Sequence, residues 1–121
     1  MPPVAVLFYR EGDGTVPLLE WLDGLKSKAL VKCRVKIERL RDLGNELRRP
    51  EADYLRDGIY ELRVGLEGQN YRMLYFFWGN TAVVMTQGLV KERVVPVKEI
   101  ERAIERKKKF ERNPELHTHG E

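Results

Sequence analysis

The stretch from Gly58 to Gln87 constrains the fold more than any other part of the chain. Ile59-Tyr60-Glu61-Leu62-Arg63-Val64-Gly65-Leu66 alternates in polarity, and Tyr71-Arg72-Met73-Leu74-Tyr75-Phe76-Phe77-Trp78 is rich in aromatic residues. A glycine-containing turn separates them, which predicts a β-hairpin. Gly79-Asn80 is a two-residue hairpin signal, and Thr81–Gln87 continues as a third strand. Strand parity then fixes the faces. With residues 67–70 as the first turn, 66 opposes 71, 65 opposes 72 and 64 opposes 73. With Gly79-Asn80 as the second, 78 opposes 81 and 72 opposes 87, and paired residues share a face.

One predicted face carries Tyr60, Leu62, Val64, Leu66, Tyr71, Met73, Tyr75 and Phe77, an apolar surface for packing on helices. The other carries Glu61, Arg63, Arg72 and Gln87 at one end, with Lys91 and Arg93 following if the third strand continues. Leu74, Phe76, Trp78, Val83 and Met85 occupy its far end. An apolar strip there needs a cover, from the last helix and from a partner.

The remaining elements follow from periodicity. Residues 4–9 form an apolar run ended by Arg10-Glu11-Gly12-Asp13-Gly14, which predicts a short strand and a turn. Thr15 and Pro17 suit a helix entry, and Val16, Leu18, Leu19, Trp21, Leu22 and Leu25 give an apolar stripe. A second helix is expected over about 28–43, burying Leu30, Val31, Ile37, Leu40 and Leu43, with Cys33 as a packing residue and Gly44-Asn45 as its stop. Residues 45–57 read as a connecting loop ending in an Asp57-Gly58 turn. Pro96 opens a last helix over about 97–111, with Val97, Ile100, Ala103 and Ile104 on its apolar side and Arg106-Lys107-Lys108-Lys109 near its end. The fold class is α+β: an N-terminal strand, a two-helix hairpin, an antiparallel three-strand meander joined by the first strand, and a C-terminal helix. Residues 1–112 are expected to form a single domain and 113–121 a flexible tail with solvated His117 and His119.

Composition bounds the function. The chain has 121 residues, 22 basic and 19 acidic, with a net charge of +3. At this length one core is expected. A single cysteine excludes an internal disulfide, and no Cys/His spacing suits zinc, so neither a metal nor a cofactor is expected. No apolar run reaches membrane-spanning length, and a cytoplasmic location without a membrane partner is the default. The converging arginines are the functional signal. A guanidinium stays charged and grips phosphate oxygens as a fork, which suits phosphate binding and not proton abstraction. The competing reading is a solvated face, with Arg63 and Arg72 paired to Glu61, Glu67 or Glu92.

Gly58-Ile59-Tyr60-Glu61-Leu62-Arg63, Tyr71-Arg72-Met73-Leu74-Tyr75, Gly88-Leu89-Val90-Lys91 and Pro96 before a charged helix together resemble the RelE/ParE toxin superfamily, in its HigB-like, phage-associated branch. The resemblance spans roughly residues 4–110. It implies a RelE-like fold and the toxin of a type II toxin–antitoxin pair. It further implies a metal-independent endoribonuclease (an mRNA interferase) that cleaves mRNA in the ribosomal 30S A site through the RNA's own 2′-hydroxyl. Its implied partners are a cognate antitoxin, mRNA and the ribosome. On this resemblance Arg72 and Arg63 hold the scissile phosphate, while Lys91 and Arg93 contact the backbone or protonate the leaving oxygen. Gln87, Lys107 and Lys108 join the RNA-binding set. No histidine lies near these positions, and Glu61 is the candidate base. The alternatives are a ParE-like protein that binds gyrase without catalysis and a non-toxic binding module.

Overall fold

A computed structural model describes residues 3–90 and 93–120. The elements in chain order are β1 (Ala5–Tyr9), α1 (Pro17–Asp23), α2 (Ser27–Leu43), a turn of 3-10 helix (Gly44–Glu46), β2 (Ala52–Arg56), β3 (Ile59–Leu66), β4 (Gln69–Trp78), β5 (Ala82–Val90), α3 (Val97–Arg112) and β6 (Thr118–Gly120). They build the expected α+β fold around one six-stranded sheet in the order β2-β3-β4-β5-β1-β6. β1 joins the meander by lying parallel to β5.

Two tight turns set the registers of the first three strands of the meander. Asp57 and Gly58 both have positive φ, as do Glu67 and Gly68. That is the backbone twist two-residue hairpins require. The turn between β3 and β4 is therefore 67–68 and not 67–70, and Arg63 sits directly opposite Arg72. This moves the expected register by two residues. An even shift preserves the faces, so the assignment of residues 59–77 to two sides stands.

The turn between β4 and β5 changes more. Trp78 pairs with Ala82, leaving 79–81 as a three-residue connection, one longer than expected. The odd residue reverses the parity of the start of β5. Val83 and Met85 therefore enter the core under α1 and α2, and do not share a side with Phe76. A bulge at Thr86 then restores the parity: Tyr75 pairs with Met85, but Leu74 pairs with Gln87. The Thr86 hydroxyl donates to the Leu74 carbonyl at 3.2 Å, which holds the bulge. Gln87 thus returns to the side of Arg72, as the simpler register had placed it.

Each side of the sheet has its own helical cover. On the first, Leu62, Val64, Met73 and Tyr75 pack with Leu18 and Leu22 of α1 and Cys33, Ile37 and Leu40 of α2. Spacings of three and four bury Ala29, Cys33, Ile37 and Leu40. Val31 falls off this stripe and is exposed, contrary to expectation, because it lies two residues from both Ala29 and Cys33. Cys33 packs as expected, and its burial pushes the thiol up to about 11. Gly44 ends α2 with φ +55 and returns its N–H to Leu40.

On the second side, α3 lays Ala103 and Phe110 over Ile59, Leu74, Phe76 and Val84. Full burial of each large apolar side chain contributes about 1.5–3 kcal/mol. Phe76 is fully buried and Met85 is on the opposite side, so the apolar strip expected around Phe76, Trp78 and Met85 does not exist. Only Trp78 keeps some exposure, at the rim beside Phe110.

Two elements lay hidden in the sequence. Residues 52–56, read as loop, form β2 against β3. The end of the chain, read as a loose tail, adds β6 to the edge of β1. His117 is buried and stacks on Tyr9 at 5.3 Å, and His119 stacks on Phe8 at 6.3 Å. Among the described residues no helix is long and apolar enough to cross a membrane.

Candidate functional site

Glu61 pairs across the sheet with Asp53 of β2, and Arg63 pairs with Arg72 of β4. Residues two apart on a strand share a face, so these four charged side chains meet on the α3 side of the sheet. Two arginines in direct opposition repel each other. Here one carboxylate reconciles them. Glu61 Oε1 accepts from Arg72 Nη1 at 2.7 Å, and Glu61 Oε2 accepts from Arg63 Nη2 at 2.9 Å. Arg63 Nη2 also donates to Asp53 Oδ2 at 3.2 Å, and Arg49 Nε lies 3.6 Å from Asp53 Oδ1. The result is an alternating line across three strands: Arg49, Asp53, Arg63, Glu61, Arg72.

Exposure divides this line into an anchor and a reachable end. The Glu61 side chain is 3% exposed and that of Arg72 11%, whereas Arg63 keeps 34%. The hydrogen bond to Glu61 raises the pKa of the Arg63 guanidinium above its ordinary value, against the lowering effect of burial. The Nε atoms of both Arg63 and Arg72 are buried and have no hydrogen-bond partner among the described residues. The arginines are therefore held by their Nη atoms and incompletely satisfied. Beyond them, a Cβ built on Gly65 would meet nothing within 4 Å, so the surface past Arg63 is open.

The other residues expected in the site fare differently. Gln87 is buried and ties β5 to α3: its Nε2 donates to the Glu99 carbonyl at 2.9 Å, and its Oε1 accepts from Arg106 Nη1 at 2.9 Å. It is a strut and not a surface contact. Lys91 lies outside the described residues. Arg93 is exposed, three residues beyond the end of β5. Lys107 belongs to the apolar stripe of α3, between Ile104 and Phe110. Its stem covers Gly58, its ammonium lies 5.8 Å from the centre of the Phe76 ring, and Glu111 accepts from it at 2.9 Å. Such a side chain buries its stem and keeps its charge at the rim. Lys108 is exposed, beside Arg56, Glu101 and Glu105. Phe76, under Lys107, is four residues from Arg72, about 13 Å along the strand. The expected basic surface therefore divides into two places.

Asp53, Arg49 and Arg106 belong to the charged framework and escaped the sequence reading. Asp53 and Arg49 were lost with β2, because a residue in a presumed loop has no parity to follow. Arg106 appeared as one more charge in a basic run. It bridges Gln87 and Glu11, donating to Glu11 Oε2 at 3.1 Å. Tyr9 donates to Glu11 Oε1 at 3.0 Å, and burial with that bond raises the tyrosine pKa.

Chemically, the arrangement can hold an anion near Arg63. Glu61 spends both oxygens on arginines and is closed to solvent, so it positions the guanidinium groups and does not face a substrate proton. Among the described residues, no group of three or more His, Cys, Asp and Glu side chains could hold a metal ion.

A family model described as phage derived protein Gp49-like (DUF891) matches residues 20–108. No curated protein was found to match the chain. The family match corrects the resemblance drawn from the sequence: the chain aligns to this phage-derived family and not to a RelE/ParE or HigB-like toxin family. The toxin–antitoxin identity and the cognate antitoxin rested on that resemblance and are set aside with it. The structure explains why the short motifs misled. Tyr60 belongs to an aromatic cluster with Tyr54, Tyr75 and Phe77, and Glu61 and Arg72 are partners in an ion pair. Gly88 is required because a Cβ there would fall 2.2 Å from the Trp21 ring. These residues record a meander and its packing, which chains of different function can share.

Proposed function

We propose that this chain, which belongs to the phage-derived Gp49-like family, binds RNA by holding a backbone phosphate at Arg63, with Arg72 and Glu61 fixing the guanidinium in place. The observation that supports the reading is the Arg63–Glu61–Arg72 triad, in which Glu61 and Arg72 are buried and Arg63 is partly exposed. Burying Glu61 and Arg72 costs desolvation that their mutual attraction offsets only in part, and apolar residues of similar size often give a more stable protein. A framework of this kind suits a protein that uses a preorganised guanidinium, since the fork is already oriented when phosphate arrives. The line from Arg49 through Asp53, Arg63 and Glu61 to Arg72 carries one net positive charge, and Arg63 is the solvent-facing member of its triad with Glu61 and Arg72.

Strand scission is the stronger form of the same proposal, with ribosome-bound mRNA as its substrate. The RNA 2′-hydroxyl gives its proton to water and attacks the adjacent phosphorus, the bond to the 5′-oxygen breaks, that oxygen takes a proton from water, and a 2′,3′-cyclic phosphate and a 5′-hydroxyl result. Arg63 would stabilise the added negative charge. Glu61, saturated by its two arginines, is assigned to positioning and not to proton removal.

One assay tests both forms. Labelled single-stranded RNA is titrated with the protein in low and moderate salt, and translating ribosomes are added in a parallel series. Binding that weakens with salt, and about tenfold with Arg63→Ala, is the expected result. Affinity unchanged in Arg63→Ala removes the phosphate assignment. Intact RNA in the ribosome series removes scission and leaves binding.

A further inference from the structure

A cleft of about 620 Å³ opens at the free edge of the sheet, between the loop after α2 and the strands β2 and β3. Its lining includes Asn45, Leu47, Arg48, Arg49, Tyr54 and Tyr60. The volume is in the range of small-ligand sites, and the composition is specific. Leu47 and Tyr60 supply an apolar floor. Asn45, Arg48 and Arg49 are exposed at the rim and offer amide and guanidinium groups. Tyr54, 52% exposed, stands between them.

The Tyr54 ring is held in position. It meets Tyr60 edge-on at 5.0 Å, and its hydroxyl accepts the Gly58 N–H at 3.1 Å. About half of the residue nevertheless faces solvent. An exposed ring beside guanidinium groups is how proteins receive an unpaired base: the base stacks on the aromatic plane while cations contact the flanking phosphates. The cleft lies on the α1/α2 side of the sheet with Tyr60, and Arg63 lies on the α3 side, so the two sites are connected around the free edge formed by β2. Asp53, which helps line it, lies within ion-pair distance of Arg49 on one side and Arg63 on the other.

We propose that this cleft is a nucleobase subsite, in which Tyr54 stacks on an unpaired base of the strand whose phosphate is held at Arg63. The inference rests on the RNA-binding reading above and adds to it the class of ligand: single-stranded and not duplex RNA. A paired base has both faces covered by its neighbours and cannot enter.

The test uses the full chain and fluorescence anisotropy with three probes: a short single-stranded RNA, the same strand made wholly abasic, and the corresponding duplex. The single strand should bind tightest. Tyr54→Ala should weaken its binding about tenfold, the scale of one lost stacking contact, and leave the abasic strand unaffected. Tyr54→Phe should restore the affinity, because it keeps the ring. An equal loss on the abasic strand, or no loss at all, overturns the base subsite. If Arg63→Ala weakens binding and Tyr54→Ala does not, the subsite alone is wrong. If the unaltered protein binds none of the probes, the RNA reading fails and the subsite with it.

Discussion

The α3 side of the sheet has two halves that share the strands β3 and β4, and they solve burial in opposite ways. Towards the Gly79 turn, Ile59, Leu74, Phe76 and Val84 lie under Ala103 and Phe110, and apolar contact does the work. Towards the Glu67 turn, β3 and β4 carry Glu61, Arg63 and Arg72, and the burial of Glu61 and Arg72 depends on ion pairs. An apolar half tolerates imprecise neighbours, because dispersion and water exclusion have no direction. The ionic half does not. Removing Glu61 takes from Arg72 the carboxylate it is paired with and leaves Arg63 with Asp53 alone. This asymmetry separates residues that hold the fold from residues retained at a cost to it.

The largest expected effect breaks the ionic half at its centre. Glu61→Ala leaves Arg63 and Arg72 opposed with no carboxylate between them, and should cost about 3–5 kcal/mol in chemical denaturation. Phe110→Ala, in the apolar half, should cost a similar amount, about 3–5 kcal/mol, through its cavity. RNA affinity then distinguishes the two: Phe110→Ala should leave it intact per folded molecule, and Glu61→Ala should not. Equal affinities for both variants would remove the functional distinction between the halves.

Converting the ionic half into a copy of the apolar one sharpens the same contrast. The triple substitution Arg63→Met, Glu61→Leu, Arg72→Met should leave stability unchanged or raise it by about 1–4 kcal/mol. It should also abolish RNA binding. A stable, binding-competent triple variant would show that the triad has no part in recognition, and a strongly destabilised one that it is structural.

How much of this contrast the sequence revealed depended on parity. The alternation in β3 and β4 placed Glu61, Arg63 and Arg72 together correctly, even with the turn misjudged, because the error was an even number of residues. The three-residue turn before β5 was an odd error, and it put Val83 and Met85 on the wrong side. Gln87 came out right only because the bulge at Thr86 cancelled it. Neither the turn nor the bulge has a local signal stronger than Gly79-Asn80. β2 was illegible for a different reason. Its five residues contain Asp53 and Arg56 and sit at the sheet edge, where few side chains need be apolar. Asp53, and with it the line from Arg49 to Arg63, could not be seen without that strand. The buried roles of His117 and Gln87 were invisible because both depend on long-range contacts: the His117 ring lies 2.8 Å from the Arg10 carbonyl, and Gln87 accepts from Arg106.

Gly88→Ala probes the opposite side of the sheet, where neither half of the contrast reaches. The added methyl would fall 2.2–2.6 Å from carbons of the Trp21 ring, so α1 must shift. Overpacking of this kind costs about 1–3 kcal/mol. RNA affinity should not change, because Arg63 and Tyr54 are on other strands. A selective loss of affinity at normal stability would place Gly88 in a functional surface.

The smallest effect concerns pH, and it separates the buried triad from a more open ion-pair cluster. Glu51 receives hydrogen bonds from Arg39 and Lys36 of α2, and its backbone carbonyl accepts from Arg63 N–H at 2.7 Å. The bond from Arg39 is the main cause that holds the Glu51 carboxyl at about 2, below its ordinary 4.5. The folded pKa is depressed, so the contribution is present above pH 4.5 and is lost as pH falls towards 2. Arg39 is half exposed, and solvent screening reduces the effect to about 1 kcal/mol. Glu51→Gln should therefore lower stability by that amount at pH 7, and its deficit should shrink between pH 4.5 and 2. A deficit that persists unchanged at pH 2 would mean that the Gln substitution disturbs the hinge between α2 and β2 sterically. In that case the carboxylate would not be what joins α2 to the edge of the ionic half.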